Sequence, residues 1–221
     1  MVISWLGAAS VRIITSPLQE ELVIITDPCD PKALGLKRGK LSADVVTVSA
    51  PHHPLHNAVD EVRGKGDASP FVISTPGECE LKGAMMYGIP ARSGKGDRAN
   101  PCTLFLFESE GINLLHLGCL GQGKLTDGQL ERFAHVDVLF VPAGDPDGLT
   151  VAEAAEVVGQ IEPRIVIPIA YEPGKGKGKF QNADKLIKEL GLEAEEPVAK
   201  FKLAKKDLPA EETRLVLLES E

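Results

Sequence analysis

Hydrophobic and polar positions fall into two regimes along the chain. In the first half, short runs rich in β-branched residues alternate with turn residues. VISWL, SVRII and ELVIITD predict three strands in succession. A Pro- and Gly-bearing stretch, residues 28–40, reads as a loop. ADVVTVSA is almost wholly apolar, the pattern of a strand buried on both faces. PHHPLHN follows it directly, and a loop leaving a buried strand is where α/β folds place their chemistry. Residues 58–63 fit one or two turns of helix. PFVISTPGECELKGAMMYGIP predicts two short strands around a turn, and residues 91–101, polar and Gly-containing, predict a loop. CTLFLFES and INLLHLG predict strands joined at Glu110–Gly111.

The second half changes period. LTDGQLERFAHV predicts a helix capped by Thr126 or Asp127, followed by the buried strand DVLFVPAG. TVAEAAEVVGQIEP carries apolar residues at helical spacing. Thr150 and Glu153 form its capping box, and Pro163 ends it. RIVIPIAYE predicts a further buried strand. NADKLIKELG predicts a short helix capped by Asn182 and stopped by Gly191. VAKFKLAKK and TRLVLLES alternate like a closing strand pair. Strands first, then alternating strands and helices, predict an α/β fold in one domain spanning residues 1–221.

Composition narrows the function classes. With 32 acidic and 24 basic residues the net charge is −8, which argues against general binding to nucleic acid or anionic membrane. Cys29, Cys79, Cys102 and Cys119 lack the spacing of a zinc ribbon or redox pair and read as free thiols. The start MVISWLGAASVRI already reads as a strand and not as a leader, and no apolar run approaches the ~20 residues that span a bilayer. A cytoplasmic location is expected.

Seven passages in order carry a resemblance: WLGAAS, the strand ending in TDP, VTVSAPHHPLHN, TPGECELKG, HLGCLGQ, DVLFVPAG and IEPRIVIPIAY. Together they resemble the metallo-β-lactamase superfamily, in its branch of metal-dependent hydrolases related to L-ascorbate phosphate lactonase. The resemblance implies an αββα sandwich with a metal site at the sheet edges. It also implies chemistry by a metal-activated water, bound through an H-x-H-x-D-H loop, an Asp in a later G-D turn and a late His.

Aligned to that pattern, most ligand positions are lost. The first His of the loop is Pro51 and its Asp is Leu55, which leaves His53 and His56 in register. Cys119 stands at the Asp of the G-D turn, Gln122 where a His is common, Ala170 at the late His and Ala8 at an opening His. Ala91, Arg92 and Ser93 occupy a stretch where this branch often carries His-Asp. Pro, Leu and Ala offer no lone pair to a metal. Asp27 matches a family Asp that supports the metal loop from behind, and it is expected to anchor that loop by accepting backbone N–H bonds. Tyr171 is expected as a pocket or structural residue, His116 as a structural histidine, and His52 on the surface.

The expected function is therefore a degenerate, non-catalytic module that binds a small anionic ligand or a protein partner, with no cofactor. The alternative is a hydrolase of esters, lactones or phosphodiesters with one divalent ion, zinc or manganese, on His53, His56 and Cys119. Cys119 as a nucleophile would need a lowered pKa and an oxyanion hole, and the sequence signals neither. Lys175, Lys177 and Lys179, spaced by glycines, form a possible anion loop that lacks the strand–loop–helix context of a phosphate-binding loop.

Overall fold

Strand order follows the β-branched runs. The structure is a computed structural model. It describes all residues except 37–38, 67, 147 and 173–179, and the side chain of residue 98. The Lys175, Lys177 and Lys179 stretch lies outside the described residues. In chain order the strands are β1 (Val2–Gly7), β2 (Ser10–Thr15), β3 (Leu22–Thr26), β4 (Leu41–Ser42), β5 (Val45–Thr47), β6 (Val62–Arg63), β7 (Phe71–Ile73), β8 (Gly77–Leu81), β9 (Ala84–Ser93), β10 (Asn100–Ser109) and β11 (Ile112–His116). Then come α1 (Asp127–Arg132), β12 (Val138–Pro142), α2 (Val151–Ile161), β13 (Ile165–Ile169), α3 (Asp184–Leu190), β14 (Phe201–Lys202) and β15 (Arg214–Leu215).

These build two facing sheets. One is ordered β14-β1-β2-β3-β5-β7, the other β15-β13-β12-β11-β10-β9-β8. Alternation places Ile3, Trp5, Ile13, Ile24 and Val45 in one buried cluster with Leu104, Leu115 and Leu139 of the opposite sheet. The first sheet turns Leu6, Val23, Ile25 and Val46 outward. There they are covered by Leu41, Ala43 and Val62 of the small β4–β6 ribbon, and no described α-helix lies in that cluster. Among the described residues the three α-helices all follow residue 126. β11, β12, β13 and β15 run parallel, as connections through helices require. α2 buries Ala154, Val157, Val158 and Ile161 at helical spacing, and each Val or Ile so buried contributes about 1.5–3 kcal/mol.

Local signals and structure agree at the caps. Thr150 and Glu153 form a reciprocal capping box, and Thr126 with Gln129 forms a second. Gly191 closes α3 in the left-handed region at φ 65°. Four expectations need correction. The polar 91–101 stretch is mostly strand, because the β9–β10 ladder continues from Cys102↔Ala91 to Asn100↔Ser93 and leaves only a short turn. Residues 70–90, expected as two short strands around a turn, hold β7, β8 and most of β9, and they pass from one sheet to the other at residues 74–76. The closing strands do not form one ladder: β14 pairs with β1 and β15 with β13, and single bridges such as Val198↔Leu218 link the segments beside them. Ala183, not Asn182, is the N-cap of α3; the Asn182 amide instead donates to Asp184.

Candidate functional site

Loops leaving β1, β3, β5, β11, β12 and β13 converge at one edge of the sandwich. Asp27 follows β3 with φ 40°, a conformation Asp tolerates, and its N–H donates to the Thr47 carbonyl at 2.7 Å. Its carboxylate is fully buried. Oδ1 accepts the Ser49 N–H at 2.6 Å, while Oδ2 accepts the Ser49 hydroxyl at 2.6 Å and the His56 Nδ1–H at 2.9 Å. Burial pushes the Asp27 pKa up. The facing His56 and His116 rings and the Ser49 hydroxyl outweigh that push, so the carboxyl titrates below its usual value. Gly118 closes the lid of this network at φ 54°: a Cβ there would lie 2.4 Å from the Ser49 Cβ and Oγ.

His116 lies behind Asp27, fully buried. Its Nε2–H donates to the Ala9 carbonyl at 2.8 Å and faces Thr26 Oγ1 at 3.1 Å. Its Nδ1 sits 4.0 Å from Asp27 Oδ2. Burial lowers its pKa, so the ring is neutral at physiological pH.

The structure separates the candidate ligands into two layers. His53 and Cys119 line an open cavity of ≈ 220 Å³, together with His52, Ser93, Gly94, Lys95, Asn100, Asp145 and Pro146. His56 is buried behind them, its ring centroid 4.9 Å from that of His53. Ser49 Oγ links the layers, 3.4 Å from His56 Nδ1 and 3.7 Å from Cys119 Sγ. His53 Nδ1 accepts the Leu55 N–H at 3.3 Å, which places the ring proton on Nε2. The neighbouring Cys102 thiol and burial raise the Cys119 pKa far above the usual range, so Cys119 is a protonated thiol and a poor nucleophile.

Two alanines at the site edge have unusual backbone. Ala8 and Ala170 both adopt left-handed φ, 46° and 51°, and the Ala170 N–H donates to the Ala8 carbonyl at 2.7 Å. Pro51 is exposed and Leu55 half-buried. Tyr171 stacks on Trp5 at 4.5 Å and donates its hydroxyl to the Leu218 carbonyl at 3.0 Å, so it ties down the C-terminal tail. Gln122 accepts the Arg92 N–H and donates to Gln129 Oε1, so it braces the 91–93 stretch. His52 is exposed as expected, yet it also faces the cavity, with Nε2 3.4 Å from Ser93 Oγ. Sequence reasoning did not single out Ser49, Lys95, Asn100 or Asp145. Lys95 ion-pairs with Glu153, the capping-box residue of α2. Only the sheet packing places these four, so no local motif marks them.

Two mixed sheets, flanking helices and a polar pocket at the loop edge define the class: an α/β sandwich of the αββα type with its candidate site where the loops converge. The chain belongs to the metallo-β-lactamase superfamily, and the model of the β-lactamase superfamily domain matches residues 2–170. A candidate Zn-dependent hydrolase of this superfamily from Thermotoga maritima is 30% identical, with a TM-score of 0.75 over 100% of this chain and 99% of that one. A candidate metal-dependent hydrolase from Parabacteroides distasonis shares the fold at 14% identity and a TM-score of 0.65, over 99% and 93% of the two chains. So does the metallo-β-lactamase fold protein YhfI from Bacillus subtilis, at 9% identity and a TM-score of 0.61, over 99% and 96%.

The donor set was tested against the metal this superfamily implies. A catalytic zinc takes three protein ligands and a water. Among the described residues no three His, Cys, Asp or Glu side chains gather into a group able to hold a metal. Pro51, Leu55, Ala8 and Ala170 carry no donor. These residues do not fit a resident catalytic metal. Among the described residues no helix is long and apolar enough to cross a membrane.

Proposed function

We propose that this chain is a metal-independent member of its superfamily that binds a small anionic molecule in the former metal pocket without hydrolysing it. One observation carries the reading. The pocket is open and lined by the donors of Lys95, Asn100, Ser93 and His53, while the positions that would hold a metal beside it present Pro51, Leu55, Ala8 and Ala170. Binding needs only the donors; hydrolysis by the superfamily's route needs the metal.

The test is elemental analysis of the purified full chain, with titration of inorganic phosphate and a simple phosphate monoester followed by melting temperature. The expected result is far less than one metal ion per chain, a rise in melting temperature with added anion, and no product. Lys95→Ala should cut the anion response several-fold. One tightly held divalent ion per chain would overturn the reading.

A second reading rests on one specific feature. A buried carboxylate that accepts the Nδ1–H of a histidine is how proteins orient a metal-ligating imidazole, and Asp27 does this to His56. This supports a mononuclear zinc or manganese hydrolase on His53, His56 and Cys119. It requires added metal to bind stoichiometrically and His56→Ala to abolish both binding and turnover of an ester or phosphodiester. Against it, no three donor side chains gather into a metal-holding group among the described residues.

A further inference from the structure

Four strands end the two sheets, and three of those edges are defended. β14 and β15 lie on the side crossed by the C-terminal tail. There the Val198 N–H donates to the Leu217 carbonyl, and the Glu219 and Glu221 N–H groups donate to the carbonyls of Val198 and Trp5. β8 presents exposed Glu78 and Glu80, and like charges on an edge oppose pairing with another copy. β7 has neither defence. Phe71 and Val72 are 54% and 41% exposed, two of the four large apolar residues so exposed among the described residues. The surrounding run, residues 68–77 (ASPFVISTPG), carries no charge in a chain that is 25% charged.

The backbone of β7 is set for a partner. The Phe71 N–H donates to the Asp44 carbonyl and the Ile73 carbonyl accepts the Val48 N–H, so residues 71 and 73 direct their polar groups inward to β5. By strand alternation the Val72 N–H and carbonyl point away from the sheet.

We infer that β7 is the site of a two-fold homodimer, in which two copies pair antiparallel about Val72 and join their first sheets edge to edge. The self-match argues for a second copy of this chain as the occupant. With Val72 opposite Val72 of the second copy, the two residues exchange both hydrogen bonds. Phe71 then falls opposite Ile73 of the second copy on the same face, and the reverse pair repeats by symmetry. Every cross-strand pair is apolar against apolar, and apolar pairs on one face are the favourable kind. The run itself adds no charge to the contact. The strand is three residues long, so the contact is small and the dimer is weak and concentration-dependent. This inference involves none of the pocket residues and stands or falls apart from the binding function.

The test is light scattering coupled to size exclusion on the full chain over a concentration series, with hydrogen exchange at both ends of the series. The expected mass rises from that of one chain toward two, and exchange at the Val72 amide slows tenfold or more in the concentrated sample. Val72→Lys and Phe71→Lys, both at exposed positions, should abolish the rise. Leu18→Lys, 70% exposed in the loop before β3, should leave it intact. Melting curves verify that each variant is folded. A single-chain mass up to millimolar concentration overturns the inference. So does a dimer that survives both lysine variants, or one that leaves the Val72 amide unprotected.

Discussion

Gly118→Ala tests whether the buried Asp27–Ser49–His56 network is the clamp of the site edge. Gly118 sits at φ 54°, and a Cβ built there lies 2.4 Å from Ser49 Cβ and Oγ and 3.1 Å from Asp27 Oδ2. Left-handed backbone costs a non-glycine residue about 1–2 kcal/mol. Forcing a methyl into a packed interior costs about 1–3 kcal/mol. Ser49 is fully buried and held by two hydrogen bonds to Asp27, so it cannot swing aside cheaply. The stiffer unfolded chain returns about 0.4–1 kcal/mol. The expected net loss is about 2–4 kcal/mol, a large share of the ~5–15 kcal/mol that holds a typical domain. At ~2–4 °C per kcal/mol for a chain of this size, the melting temperature should fall by about 4–16 °C. Urea unfolding should show a lower midpoint at unchanged m-value. Because the clash is with the Ser49 side chain, Gly118→Ala combined with Ser49→Gly should cost less than the sum of the single changes. A loss under ~1 kcal/mol, or strict additivity of the pair, would refute the clamp.

Other outcomes follow from the same geometry. His116 has a folded pKa depressed by burial below the usual histidine value of 6.5, so the unfolded chain binds the extra proton first as pH falls. Its contribution is present above pH 6.5 and drains away below it, with a slope of at most about 1.4 kcal/mol per pH unit; denaturation across pH 5–8 should show this slope, and His116→Gln should flatten it. Thr150→Ala removes the Oγ1 acceptor of the α2 capping box, keeps the backbone N–H bond to Glu153, and should cost about 1 kcal/mol, read as a melting shift of about 2–4 °C. Tyr171→Phe keeps the stack on Trp5 but leaves the buried Leu218 carbonyl unpaired, for a loss of about 1–3 kcal/mol; emission from Trp5, the single tryptophan, should stay native-like.

Much of the scaffold is local chemistry and was legible from the chain alone. Runs such as ELVIITD and RIVIPIAYE became β3 and β13 because β-branched residues suit a pleated, buried surface. Thr150 with Glu153 started α2, and Gly191 stopped α3, because caps act over three or four residues. The identity of the residues at the family's ligand positions is likewise a property of the sequence: no fold gives Pro51, Leu55 or Ala170 a lone pair for a metal.

Tertiary structure decided what depends on distant partners. Which sheet a strand joins is set by long-range pairing, so the 71–81 stretch was divided between sheets and the tail strands β14 and β15 went to opposite ones. A polar stretch at 91–101 became strand because a neighbour was there to continue the ladder. His53 and His56 are equivalent in a motif; packing put one on the pocket wall and turned the other back to Asp27. Ser49, Lys95 and Asp145 carry no signature of their own and reach the site only because several loops end at one edge of the sandwich. The sequence by itself determined most of the elements and which residues stand where the resemblance expects ligands. The packing of the two sheets decided that a polar pocket forms and that the Asp27 network lies buried behind it, because both are built from contacts far apart in the chain.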